Sequence, residues 1–103
     1  MELKKAFIKK GIGGGLEEVI HELLPKHTGY VEVQHDVAGQ EHPSHTHPTD
    51  EILHIIKGSI YFTVEGETTR CEAGDRIYLP KHTKHASKAD VNGCTYVISI
   101  LKF

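Results

Sequence analysis

Between Leu16 and Leu24 the apolar residues fall at positions 16, 19, 20, 23 and 24, with Glu17, Glu18, His21 and Glu22 among them. That spacing marks one face of a helix and predicts a short one, ended by Pro25 and Gly29. From Tyr30 the period becomes two. Val31, Val33, His35 and Val37 alternate with Glu32, Gln34 and Asp36, which predicts a half-buried strand broken at Gly39. Further strands are predicted at 52–56, stopping at Gly58, and at 60–64, followed by the turn Glu65-Gly66-Glu67. Residues 68–72 read as the hairpin partner, 76–79 as a short strand stopped by Pro80, and 95–101 as the last and most apolar one. Ahead of the helix, Lys4, Lys5, Lys9 and Lys10 surround Ala6-Phe7-Ile8, the pattern of a brief edge strand guarded by charge. Gly11, Gly13, Gly14 and Gly15 then make a flexible joint.

Short strands at near-regular spacing with glycine turns point to an all-β sandwich or barrel carrying one short N-terminal helix. Closing the sheet into a jelly-roll-like barrel removes its exposed edges. The 103 residues suffice for one domain. Residues 1–29 are expected to form an arm and helix, and 30–103 the barrel. Twelve Lys and Arg against fourteen Asp and Glu give a net charge of −2. No clustered basic face follows from that balance, so neither nucleic acid nor a membrane surface is expected as a partner. The start of the chain has lysines but no apolar stretch of signal-peptide length, and a cytoplasmic location is expected. Two cysteines, Cys71 and Cys94, are too few for a disulfide framework and read as small buried residues.

Histidine changes the picture. Six of the nine histidines lie between His42 and His85. His45 and His47 are two apart and Glu51 follows four later, so on extended chain the three share a face. Two imidazoles and a carboxylate aimed at one point make a ligand set for Fe, Mn, Ni, Cu or Zn. Pro43 and Pro48 bracket the pair and limit its backbone freedom, and His85 is a fourth candidate. His42 has the wrong parity and is expected only at the rim. His54, three after Glu51, points to the opposite sheet face as a structural or interface residue. Tyr61, Tyr78 and Tyr96 are expected to pack in the sheets.

These residues resemble the two motifs of the cupins. The first, G-x5-H-x-H-x3-E-x6-G, is met by Gly39, His45, His47, Glu51 and Gly58 at every spacing. The second, G-x5-P-x-G-x2-H-x3-N, is met by Gly74, Pro80 and His85, with His82 in place of its second glycine and Ala89 in place of its asparagine. The resemblance covers roughly residues 30–101. It implies a double-stranded β-helix, the jelly-roll-like cupin barrel, with one divalent transition metal ion per chain held by His45, His47, Glu51 and His85. It also implies a homodimer, for which the segment Leu3–Ile8 could add a strand to the partner's sheet.

The superfamily spans many reactions, so membership names none of them. Three neutral imidazoles and one carboxylate would leave a divalent ion with formal charge +1 and open positions suited to a small oxygen-chelating ligand. A metal-dependent oxygenase or isomerase acting on a small polar substrate is the leading expectation, and a non-catalytic metal or small-ligand binding module is the other. An enzyme needs an acid or base beside the metal. His82, three residues before His85, is the expected catalytic residue.

Overall fold

A computed structural model describes residues 5–26 and 28–102. Its elements are β1 (Phe7–Lys9), α1 (Leu16–Leu23), β2 (Thr28–Asp36), β3 (Glu41–His45), β4 (Asp50–Val64), β5 (Glu67–Glu72), β6 (Arg76–Leu79) and β7 (His85–Lys102). Strands run in the order β1-β6-β4-β7-β2, with β3 joined to β7 and β5 to β4, and every pairing is antiparallel. No helix among the described residues is long and apolar enough to cross a membrane.

Three of the expected strands prove to belong to two longer ones. The segments expected at 52–56 and 60–64 are parts of β4, and the strand expected at 95–101 begins ten residues earlier, at His85. Gly58 bends β4 without ending it. The β4–β7 register shifts on either side of this glycine, whose φ is +80°. A Cβ there would sit 2.1 Å from the Gly93 carbonyl oxygen, so only glycine lets the two backbones approach. A sequence reader sees a terminator, whereas the fold uses a bulge.

Alternation along β4 then fills two layers. Leu53, Ile55, Ile60 and Phe62 enter the barrel interior with Cys71, Ile77, Leu79, Cys94 and Tyr96. Burial raises both thiols, Cys71 to about 11 and Cys94 to about 12, so neither is a ready thiolate. On the other side Ile52 and Val97 pack against Val19 and Leu23 of α1. The helix is further held by the Ser99 hydroxyl, which donates to the Leu23 carbonyl at 2.6 Å, one of the acceptors a helix end leaves unpaired. Glu22 pairs with Arg76, whose Nε donates at 3.0 Å to Nδ1 of the fully buried His54. His54 is thus the structural residue its parity suggested.

The arm lies on the barrel. Phe7–Lys9 pairs with β6 of the same chain, and Lys10 binds Asp75. The segment expected to reach a partner's sheet therefore fills an edge of its own, while Leu3 and Lys4 lie outside the described residues.

Strand β2 reverses the expected burial. Its valine side was expected to be the buried one, yet Val33 is 49% and Val37 60% exposed, and only Val31 packs, beside the helix. Tyr30, Glu32 and Gln34 face the barrel cavity instead. The reason is local: this end of the barrel opens into a cavity lined by polar as well as apolar side chains, so the usual rule of apolar side inward does not apply there.

Candidate metal centre

Three loops and strand ends build the site. His45 ends β3, His47 lies two residues beyond in the connection to β4, and His85 opens β7 directly opposite His45 in the ladder. Backbone ties hold these segments together. The His82 N–H donates to the His47 carbonyl at 2.7 Å, and the Lys81 N–H donates to Oδ1 of the buried Asp50 at 2.8 Å.

Ligand-capable atoms of His45, His47 and His85 lie within 4.8 Å of one another, and this is the group of three found among the described residues. Their ring centroids are 4.4–5.1 Å apart, and Phe62 stacks on His85 at 5.7 Å. The carbonyls of Pro43 and Thr83 lie 2.6 and 2.9 Å from Nδ1 of His45 and His85 respectively. A carbonyl can only accept, so each Nδ1 carries its proton and each Nε2 keeps a lone pair. Orientation by such backbone partners is what metal-binding histidines require. Burial, with the neighbouring imidazole of His45, lowers the pKa of His47; burial also lowers that of His85. The rings are therefore biased towards the neutral form a metal needs.

Glu51 lies outside that group of three but joins the same cavity, with Oε2 3.4 Å from His47 Nδ1. Only 6% exposed, its carboxyl is pushed up to about 7, first by burial and then by the negative charge of Glu32. Glu51 raised and His47 lowered both disfavour the charged forms that a salt bridge between them would need. The cavity of about 440 Å³ has an apolar floor that includes Leu53, Phe62 and Ile98, and no lysine or arginine lines it among the described residues.

His82 stands elsewhere. Its side chain is exposed and does not line this cavity; its φ of +64° explains why the cupin motif has glycine at that place. The contact His82 makes with the site is through its backbone amide, to the His47 carbonyl. His82→Gly should therefore bind metal as wild type does and change stability by less than about 1 kcal/mol, since it relieves a left-handed residue. A loss of turnover with metal intact would instead restore the catalytic role expected of His82.

Sequence reasoning missed Asp36 and the side chains it gathers. Asp36 is fully buried and contacts Gln34, His42 and Tyr96, each of which lines the cavity. The even-numbered polar residues of β2 were the available signal.

Fold and site together define a double-stranded β-helix barrel with a histidine triad in its mouth. The chain belongs to the cupin family, whose cupin domain pattern matches residues 32–100. Among solved structures it is similar to a conserved protein of unknown function from Streptococcus pyogenes, at 27% identity and TM-score 0.68 over 76% of this chain and 68% of that one. It also resembles a conserved protein with a double-stranded β-helix domain from Klebsiella pneumoniae, at 25% identity and TM-score 0.64 over 70% and 65%. A third likeness is to the DMSP lyase of Ruegeria pomeroyi, at 27% identity and TM-score 0.67, covering 71% of this chain but 38% of that one. The search of curated proteins gave no match.

Proposed function

We propose that this cupin binds one divalent transition metal ion through His45, His47, His85 and Glu51 and is a metal-dependent enzyme of oxygenase or isomerase type. Its substrate is a small, polar molecule that chelates through oxygen. One observation carries the reading: the imidazoles converge with at least two of them locked by carbonyls in the tautomer that leaves Nε2 free. The ion would act as a Lewis acid on the chelated oxygens. The chain's own residues would bind and orient the ligand, and the apolar floor would exclude water from it. With no lysine or arginine among the described residues that line the cavity, the ion would be the anchor for an anionic oxygen. The likeness to a lyase supports an enzyme on this scaffold without naming the substrate.

The test is the metal content of protein purified without a tag, followed by an oxygen-uptake and isomerase screen of iron-loaded material with small hydroxy acids and hydroxyketones. Near one ion per chain and turnover of one such compound are expected. Far less than one ion after loading would overturn the metal reading. Bound metal with no turnover across the screen would favour a non-catalytic binding module.

Exposed Val33 on the edge strand β2 and Val37 just past its end further support a homodimer, in which a second copy covers that face. Light scattering at micromolar concentration should give twice the monomer mass, and a pure monomer would refute it.

A further inference from the structure

Behind three of the cavity-lining residues, Gln34, His42 and Tyr96, lies a carboxylate outside the proposed ligand set. Asp36 has no exposed surface. Its Oδ1 accepts from Gln34 Nε2 at 3.1 Å, its Oδ2 accepts from the Tyr96 hydroxyl at 2.9 Å, and His42 Nε2 spans both oxygens at 3.0 and 3.1 Å. Burial alone would raise this carboxyl, yet the hydrogen bonds from His42, Gln34 and Tyr96 outweigh it and hold the pKa below the usual range. Asp36 is thus an ionised group sealed beneath the cavity.

An ionised carboxylate only accepts hydrogen bonds. His42 Nε2 must therefore carry a proton, and the neutral ring keeps its lone pair on Nδ1. The His42 side chain is one-third exposed, lines the cavity, and makes no hydrogen bond through Nδ1 to the described residues. Tyr96 offers no competing base, because burial and its bond to Asp36 push its hydroxyl pKa upward. A cavity-lining histidine tied to a buried carboxylate through one nitrogen, with the other making no hydrogen bond to the described residues, has the arrangement of a general base.

Building on the enzyme reading above, we propose that His42 is a catalytic acid–base residue of this cavity and Asp36 its positioning residue. In the proton-transfer step a C–H or O–H bond of the chelated ligand breaks, its electron pair stays on the ligand, and the proton goes to His42 Nδ1. The resulting imidazolium is balanced by Asp36, and the same nitrogen later returns a proton to the ligand.

The experiment uses the full chain loaded with zinc, which is diamagnetic, and hydroxyacetone in D2O as the probe. Long-range ¹⁵N–¹H spectra should show neutral His42 protonated at Nε2 and bare at Nδ1, and Asp36→Asn should convert this single tautomer into a mixture. Deuterium should enter hydroxyacetone about a hundredfold faster with wild type than with His42→Gln at equal zinc content. The glutamine amide can still donate to Asp36, so this variant keeps the buried carboxylate paired. A proton fixed on Nδ1, or exchange unaltered in His42→Gln with zinc bound, overturns this proposal alone. A chain that takes up no zinc overturns the metal reading and this proposal with it.

Discussion

Alanine at His47 should leave the barrel folded and the chain without stoichiometric metal. His47 lies beyond the end of β3, its side chain is 39% exposed, and it belongs to neither apolar cluster of the core. Its removal deletes one of three converging imidazoles, and even the outer partners of metal ligands are worth ten- to a hundredfold in affinity. A loss of at least about a hundredfold is therefore expected for the ligand itself. Elemental analysis after dialysis reads the metal, and the far-ultraviolet spectrum and melting curve read the fold. Metal content equal to wild type would remove His47 from the ligand set.

Glu51 should make the metal-free protein less stable as pH rises. Its folded pKa, about 7, lies above the ordinary 4.5 because burial and then Glu32 disfavour the charged form. Between those values the folded state binds more protons than the unfolded chain, so unfolding free energy falls with increasing pH. The full effect across that interval is roughly 3 kcal/mol at about 1.4 kcal/mol per unit. Glu51→Gln cannot ionise and escapes it. The difference in unfolding free energy between wild type and Glu51→Gln, from urea titrations of metal-free protein, should therefore swing against wild type between pH 5 and pH 8. A difference independent of pH would show that Glu51 titrates normally. As a proposed ligand Glu51 must ionise to bind, so near pH 6 metal uptake should also release its proton, seen by calorimetry in buffers of different ionisation enthalpy.

The histidine triad was legible because its residues stand at the short, rigid spacings of a known motif. His45 and His47 share a two-residue offset, and His85 stands a set distance beyond Pro80. The hairpin at 65–66 and strand β6 were legible for a similar reason, since their signals are local. Other features depend on distant chain. Gly58 signals a break, and only Gly93 passing close to it makes the position a bulge within a continuous strand. The valines of β2 announce a buried side, but which side is inward depends on the cavity the strand borders. Asp36, His42 and Tyr96 come from β2, β3 and β7, and their meeting rests on the pairing of Asp36 with Cys94 and of His42 with Ser87. Nothing in the spacing of those residues shows it.

Strand β7 has one more consequence, for the order of events during synthesis. It pairs with β2, β3 and β4, so no earlier segment can complete the barrel by itself. A ribosome adds roughly 5–20 residues per second, and nascent domains generally fold as units. Residues 30–80 must therefore wait, with their strands unclosed, until the stretch beginning at His85 has left the exit tunnel. The same stretch brings the third imidazole. His45 and His47 meet it only as the barrel shuts, so the triad is among the last features of the fold to assemble.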